Sequence, residues 1–375
     1  MAIRLAATVA ALALVTGGSY GLTRQRHGVI RPGPVRTRYL SAMPGAKILS
    51  VTAAGYMTLS DLRDGHASMV RSLGQMAMPP VASLDGRYLA TPYGQVVALT
   101  GSVGRASTRL SLTEYQQSAP VEPLAGRDRY WVVLGSIEGF AGTDDPVSVL
   151  SLSTGRSVRL GRGDNIAGDP LRAGAFVSAP APIHPSAQPN RSLPDSRVEL
   201  RDIGRPAIVL ATAAQLNSEL RLPGNAQVAL FPCPDPTGGK VAIMVEPTTS
   251  DVPGGVVVMT RTGHVVQTIS GTRRMSPLSW SRSGQSLAFA TSGAQSAVHL
   301  WNAVAGTRSL NLPGGQYGTC VWSPDAAWIL CPAGGVGSSG TNGAGAGWYL
   351  ASAAGSAVVQ TAGHGSPVAW LGGSR

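Results

Sequence analysis

The residues best suited to chemistry in this 375-residue chain are a scattered set of carboxylates and one histidine. Glu138, Asp144, Asp145, Glu246 and Asp251 fall where connecting loops are predicted, and His184 lies in a proline-rich stretch. Carboxylates gathered around a central axis could hold a divalent cation and polarise a substrate. Two glutamates without a matching Asn/Asp set give that chemistry little support. Zinc-type spacing is missing, with neither a C-x-x-C pair nor H-E-x-x-H. The G-x-S-x-G pattern of a nucleophile elbow occurs once, at 17–21, inside an apolar leader where it is accidental. His66, His264 and His299 lie in or beside predicted outer hairpins and read as solvated or packing residues. Asp85 and Asp325 occupy turn positions where aspartate bonds its own backbone. No catalytic, cofactor-binding or metal residue is assigned, and no cofactor is expected.

Three cysteines are too few for a disulfide framework. If the SPDAA segment (323–327) joins two antiparallel strands, Cys320 and Cys331 are equidistant from its centre and face each other. Directly opposed residues can admit a disulfide. Two small buried thiols are the equally weighted alternative, and Cys233 reads as core.

These residues must be positioned by a repeated unit. A short strand ending in Trp, a polar turn and an apolar strand occur at 278–292 and again at 320–333, with Trp280 and Trp322 placed 42 residues apart. Related inner hairpins are predicted at 81–91, 122–136, 166–180 and 229–247. Outer hairpins are predicted around Gly65, Gly101 or Gly104, Gly155, Gly204, Gly263, Gly306 and Gly355. Glycine suits turns that need a positive φ. Seven outer hairpins against six inner ones leave the first repeat without its innermost strand. The SPVAW segment near the C-terminus, ending in Trp370, supplies it. The fold expected is therefore all-β, a seven-bladed propeller closed by the C-terminal strand pairing into the first blade. Blades of roughly 46 residues fill 46–371. Phe231, Trp280, Trp322 and Trp370 are expected to share one inner-strand position. Five prolines in 179–196 mark a loop from the fourth blade, 334–347 is glycine-serine rich, and a short helix is expected within 211–226.

The copies SWSRSGQSLAFATSG and VWSPDAAWILCPAG resemble the repeats of TolB-type and WD-type propellers. The likeness is strong over 275–331, fair over 79–100 and 229–270, and weak elsewhere. It implies a propeller fold and, through the TolB branch, an extracytoplasmic bacterial protein. The Trp-Asp pair of intracellular WD repeats is absent, since Asn302 follows Trp301. A fold hosting scaffolds, binders and enzymes alike implies no single activity.

Residues 1–22 carry one arginine and then an apolar run of signal-peptide length, read as a signal peptide or short membrane anchor. Residues 23–45 are a basic Pro/Gly-rich linker. Six of the 30 basic residues and none of the 19 acidic ones precede residue 46, so the net charge of +11 falls to +5 in the body. No aromatic-interleaved basic stripe occurs there, which argues against nucleic acid and for a membrane contact through the N-terminal segment. The expectation is a monomeric, non-catalytic, envelope-associated scaffold that binds a protein or another ligand. The alternative is an exported, metal-dependent hydrolase or lyase with its site on the axis.

Overall fold

The computed structural model describes residues 47–51, 56–62, 67–72, 81–82, 88–90, 95–98, 106–109, 116–123, 130–136, 146–151, 154, 156–163, 165–179, 196–224, 226–249, 252–272, 275–291, 297–310, 319–332, 347–355, 358–361 and 365–371. Within 67–136 the backbone alone is described. The chain divides into two units, Met1–Gly33 and Pro34–Arg375, and everything below concerns the second.

Strands β1 (Lys47–Val51), β2 (Tyr56–Asp61) and β3 (Ala67–Ser72) lie in the first sheet. The second holds β4 (Val81–Ala82), β5 (Tyr88–Ala90), β6 (Gln95–Ala98) and β7 (Ala106–Arg109). The third holds β8 (Gln116–Pro123), β9 (Tyr130–Ser136), β10 (Pro146–Ser151) and β11 (Ser157–Arg162), and the fourth β12 (Ile166–Gly168), β13 (Gly174–Ala179), β14 (Arg197–Asp202) and β15 (Ile208–Thr212). Strands β16 (Val228–Pro234), β17 (Lys240–Pro247), β18 (Gly254–Thr260) and β19 (Val265–Thr272) make the fifth. Strands β20 (Ser279–Trp280), β21 (Ser286–Thr291), β22 (Ala297–Asn302) and β23 (Gly306–Leu310) make the sixth. The seventh takes β24 (Val321–Trp322), β25 (Trp328–Pro332), β26 (Trp348–Ser352) and β27 (Val358–Thr361). The last strand, β28 (Ser366–Leu371), returns to the first sheet and pairs antiparallel with β1, Trp370 opposite Ile48. Among the described residues, six four-stranded antiparallel meanders and a first sheet of three consecutive strands completed by β28 are the units of a β-propeller.

The strands read as they do because the sheets are covered on both faces. Val241 to Val245 are all buried, and so are Gly254 to Met259, whereas β23 at the outside of its sheet is mostly exposed. Alternation then decides which neighbour each residue meets. Val241, Ile243 and Val245 pack with Phe176, Val198 and Leu200 of the fourth sheet. Ala242 and Met244 pack with Leu287, Phe289 and Trp301 of the sixth. The same two-sided packing joins sixth to seventh sheet through Ala288, Leu300, Ile329 and Tyr349. Leu330, Trp348 and Leu350 then meet Ile48 and Trp370 of the first.

One helix stands among the described residues, α1 (Ala213–Leu220), inside the stretch expected to hold one. Thr212 and Gln215 form a reciprocal capping box, and Leu216 and Leu220 are buried against the fifth sheet's core. Register corrects one expectation. Trp280 faces Leu287 and Trp322 faces Ile329, each one residue before its turn, and Trp370 faces Ile48 across the pairing of β28 with β1. In the fifth sheet that place belongs to Pro234, opposite Val241, and Phe231 sits three residues earlier opposite Met244. Apolar-aromatic character misled there, because β16 has seven residues where β20 and β24 have two, and its turn lies farther along.

Candidate functional site

The sheets have two edges, and they treat polar side chains differently. At one edge the first strand turns into the second and the third into the fourth; Arg261 N–H donating to Gly239 O joins the two turns of the fifth sheet. The inner turn is the same in three sheets. Asp235, Ser281 and Ser323 each donate their N–H to the carbonyl five residues on, at 2.8–2.9 Å. Their side-chain oxygens accept the N–H of that same residue: Lys240 at 2.5 Å, Ser286 at 3.0 Å and Trp328 at 2.9 Å. Three residues on, Gly238, Gly284 and Ala326 hold φ of 71°, 66° and 57°. Asp325 accepts from Ser323 Oγ at 2.5 Å and from Ala327 N–H at 3.0 Å, a capping role.

Asp169 holds the corresponding place in the fourth sheet and adds an ion pair. Its carboxylate, fully buried, receives both terminal nitrogens of Arg261 from the outer turn of the fifth sheet, Nη1 at 2.7 Å on Oδ1 and Nη2 on Oδ2. The guanidinium also lies over the Phe176 ring, 5.6 Å from its centroid. Asp202 pairs with Arg172 at 3.0 Å and is 4.0 Å from Arg261. Burial raises the Asp202 carboxyl above the usual range, against the lowering pull of Arg172. Lys240 Nζ donates to Gly284 O of the next sheet at 3.2 Å. The sequence reading missed this seam. Its signal was available in the shared turn position of Asp169, Asp235, Ser281 and Ser323, but the arginine partner lies 92 residues away.

At the opposite edge, where the second strand leads to the third, stands Glu246, at the end of β17. Burial raises its carboxyl above the usual range, and a hydrogen bond from the Met275 backbone partly offsets that. Glu138, Asp144, Asp145, His184 and Asp251 lie outside the described residues, so of the expected set only Glu246 has a described environment. Among the described residues no three His, Cys, Asp or Glu side chains gather as a cation site. His299 is packed: its ring stacks on Phe289 at 5.0 Å, Nε2 meets Thr291 Oγ1 at 3.1 Å, and Nδ1 meets Ser309 Oγ at 2.9 Å. Burial lowers its pKa.

Trp280 and Trp322 each fasten one sheet to the preceding one. Trp280 Nε1 donates to Cys233 O and Trp322 Nε1 to Ser279 O, each at 2.9 Å and each to the preceding sheet. Cys320 and Cys331 are joined by a disulfide with Cα atoms 4.3 Å apart, while Cys233 is outside any disulfide and its Sγ donates to Leu278 O at 3.6 Å. No helix among the described residues is long and apolar enough to cross a membrane.

No family model matches the chain. No curated protein matches it either. Solved structures do. The oligogalacturonate lyase of Vibrio parahaemolyticus is 9% identical with a TM-score of 0.52, over 76% of this chain and 88% of that one. A putative 6-phosphogluconolactonase of Bacteroides uniformis is 12% identical at 0.50, over 87% and 98%. TolB of Acinetobacter baumannii is 12% identical over 89% and 69%, with a TM-score of 0.44 that carries no argument here. Identities this low speak to fold alone, and the fold is a β-propeller.

Proposed function

We propose that the chain is a seven-bladed propeller, its ring closed by β28 in the first sheet, that works as a non-catalytic binding scaffold at the cell envelope. The succession of inner strands supports the ring. Strand β28 adjoins β4, β4 adjoins β8, β8 adjoins β12 and β12 adjoins β16; β20 adjoins β24, which adjoins β28. The Trp280–Cys233 bond bridges β16 to β20.

The observation that carries the scaffold reading is the contrast between the two sheet edges. At the turn edge the carboxylates are engaged, Asp235 in a cap and Asp169 and Asp202 in ion pairs with Arg261 and Arg172. At the other edge, the connections after β9, β13 and β17 belong to three consecutive sheets, and they hold or adjoin Glu138, Asp144, Asp145, His184, Glu246 and Asp251. Loops presented by a rigid frame are where binding residues collect. The disulfide supports an oxidising compartment, in keeping with the apolar leader and basic linker of 1–45, which we assign to export and membrane contact.

The test is affinity isolation of cross-linked partners with the full chain and with a variant carrying Glu138→Gln, Asp144→Asn, Asp145→Asn, Glu246→Gln and Asp251→Asn. A discrete envelope protein captured by the first and lost from the second supports the scaffold. Stoichiometric calcium or zinc in the purified protein, with melting lowered by chelator, would overturn it in favour of an enzyme. Sidedness is read by labelling an introduced surface cysteine in intact cells, and a label that cannot reach it would refute export.

A further inference from the structure

The outer flank of the third and fourth sheets carries a feature that the scaffold reading does not use. A cleft of about 330 Å³ opens between β11 and the turn from β14 to β15, lined by Val158, Arg159, Leu160, Arg201, Arg205 and Ala207 among others. Three arginines line it, and they are not equivalent. Arg201 is fixed: its side chain is 13% exposed, Nε donates to Glu199 Oε2 at 2.7 Å, and Nη1 donates to Arg162 O across the seam at 2.5 Å. Gly161 makes that approach practicable, because a Cβ there would lie 3.0 Å from Arg201 Nη1 and its φ is +116°. Arg159 and Arg205 are exposed, and neither guanidinium has an ion pair or hydrogen bond among the described residues.

The nearby acids do not cancel this charge. Glu199 is shared by two arginines, Arg197 at 2.5 Å and Arg201 at 2.7 Å. Asp202, which also lines the cleft, is paired through Oδ2 with Arg172 at 3.0 Å, and its buried Oδ1 has no hydrogen-bond partner. The cleft is thus left with an excess of at least two positive charges from Arg159 and Arg205, backed by one immobile fork. Arginine forks match the paired oxygens of phosphate, and a recessed site of like-signed groups favours a dianion over a single carboxylate.

We infer that this cleft is a binding site for a phosphate monoester, with Arg201 as its fixed floor and Arg159 and Arg205 as the closing forks. A soluble phosphate ester and a lipid with a phosphate-monoester headgroup share this chemistry. The test uses the full chain with two probes: inorganic phosphate followed by calorimetry, and flotation with phosphatidylcholine vesicles with and without phosphatidic acid. Saturable binding of phosphate assigns the soluble source, and binding to the phosphatidic acid vesicles alone assigns the headgroup. In either case Arg159→Gln/Arg205→Gln should weaken binding at least about tenfold, the loss expected for two charge-assisted contacts. The matched double variant Arg282→Gln/Arg308→Gln, which removes two exposed arginines from the sixth sheet, should bind like the unaltered protein. Melting curves establish that each variant is folded, and Arg205→Gln alone provides a milder change with the same direction. Binding of neither probe, or equal loss in both double variants, overturns the site.

Discussion

Ala326 is the residue at which the repeated turn is least satisfied. Gly238 and Gly284 take the left-handed conformation without a Cβ, whereas Ala326 adopts φ 57° with one. Ala326→Gly is therefore expected to stabilise the protein by about 1 kcal/mol, less whatever the freer unfolded chain takes back. Equilibrium urea unfolding reads this directly, and a lowered midpoint would refute the strain. Glu246 gives a second prediction. Its folded pKa is raised by burial, so its favourable contribution is complete below the unfolded carboxyl value and is lost as pH rises through the folded value. At neutral pH the charged carboxylate costs stability. Glu246→Gln can still accept from Met275 N–H, so it should melt higher than the unaltered protein at pH 7. The difference should close as pH falls through the carboxyl range, and a gap that persists in acid would sink the assignment. Asp325 was legible in the sequence as a turn cap because its partners are two residues away on either side. Asp169 was not, because its partner arrives from another sheet.

At the scale of elements, the seam between fourth and fifth sheets combines apolar packing with one bidentate pair, Asp169 with Arg261. Removing one partner leaves the other charged and desolvated, so Asp169→Asn should destabilise by about 3–5 kcal/mol. Asp169→Leu with Arg261→Met should recover a large part of that loss. A double-mutant cycle in denaturant measures the coupling, and simple additivity would show that the pair is not linked. The hairpin β24–β25 is closed by a disulfide spanning 11 residues. Cys320→Ala/Cys331→Ala should cost about 2–3 kcal/mol by the loop-entropy relation. Thiol titration of the unfolded protein should find one reactive cysteine before reduction and three after, and three before reduction would exclude the bridge. The facing of these two cysteines followed from counting outward from a turn. The expected equivalence of Phe231 with the tryptophans failed for the converse reason: strand length, unlike turn chemistry, is not written at any one residue.

Over the whole molecule, the pairing of β28 with β1 ties the two ends of the body together. Deleting 366–375 removes Trp370, buried among Ile48, Leu330 and Trp348, and uncovers the edge of β1. The truncated protein should fail to fold or should melt far lower, because loss of a buried tryptophan alone costs about 3–5 kcal/mol. Unchanged melting would refute a closed ring. Among the described residues, sequence alone indicated strands, the outer turns at Gly204, Gly263, Gly306 and Gly355 and a helix within 211–226, because each rests on local rules such as alternation and a glycine at positive φ. It also indicated the strand that completes the first sheet, since an unmatched half-hairpin at each end can be counted. Only the tertiary structure decided which charges are spent and which are free. Arg261 and Arg205 are both outer-turn arginines in the sequence. One is neutralised by Asp169 from the neighbouring sheet and the other opens onto a cleft. The difference lies in packing between sheets, which no local pattern encodes.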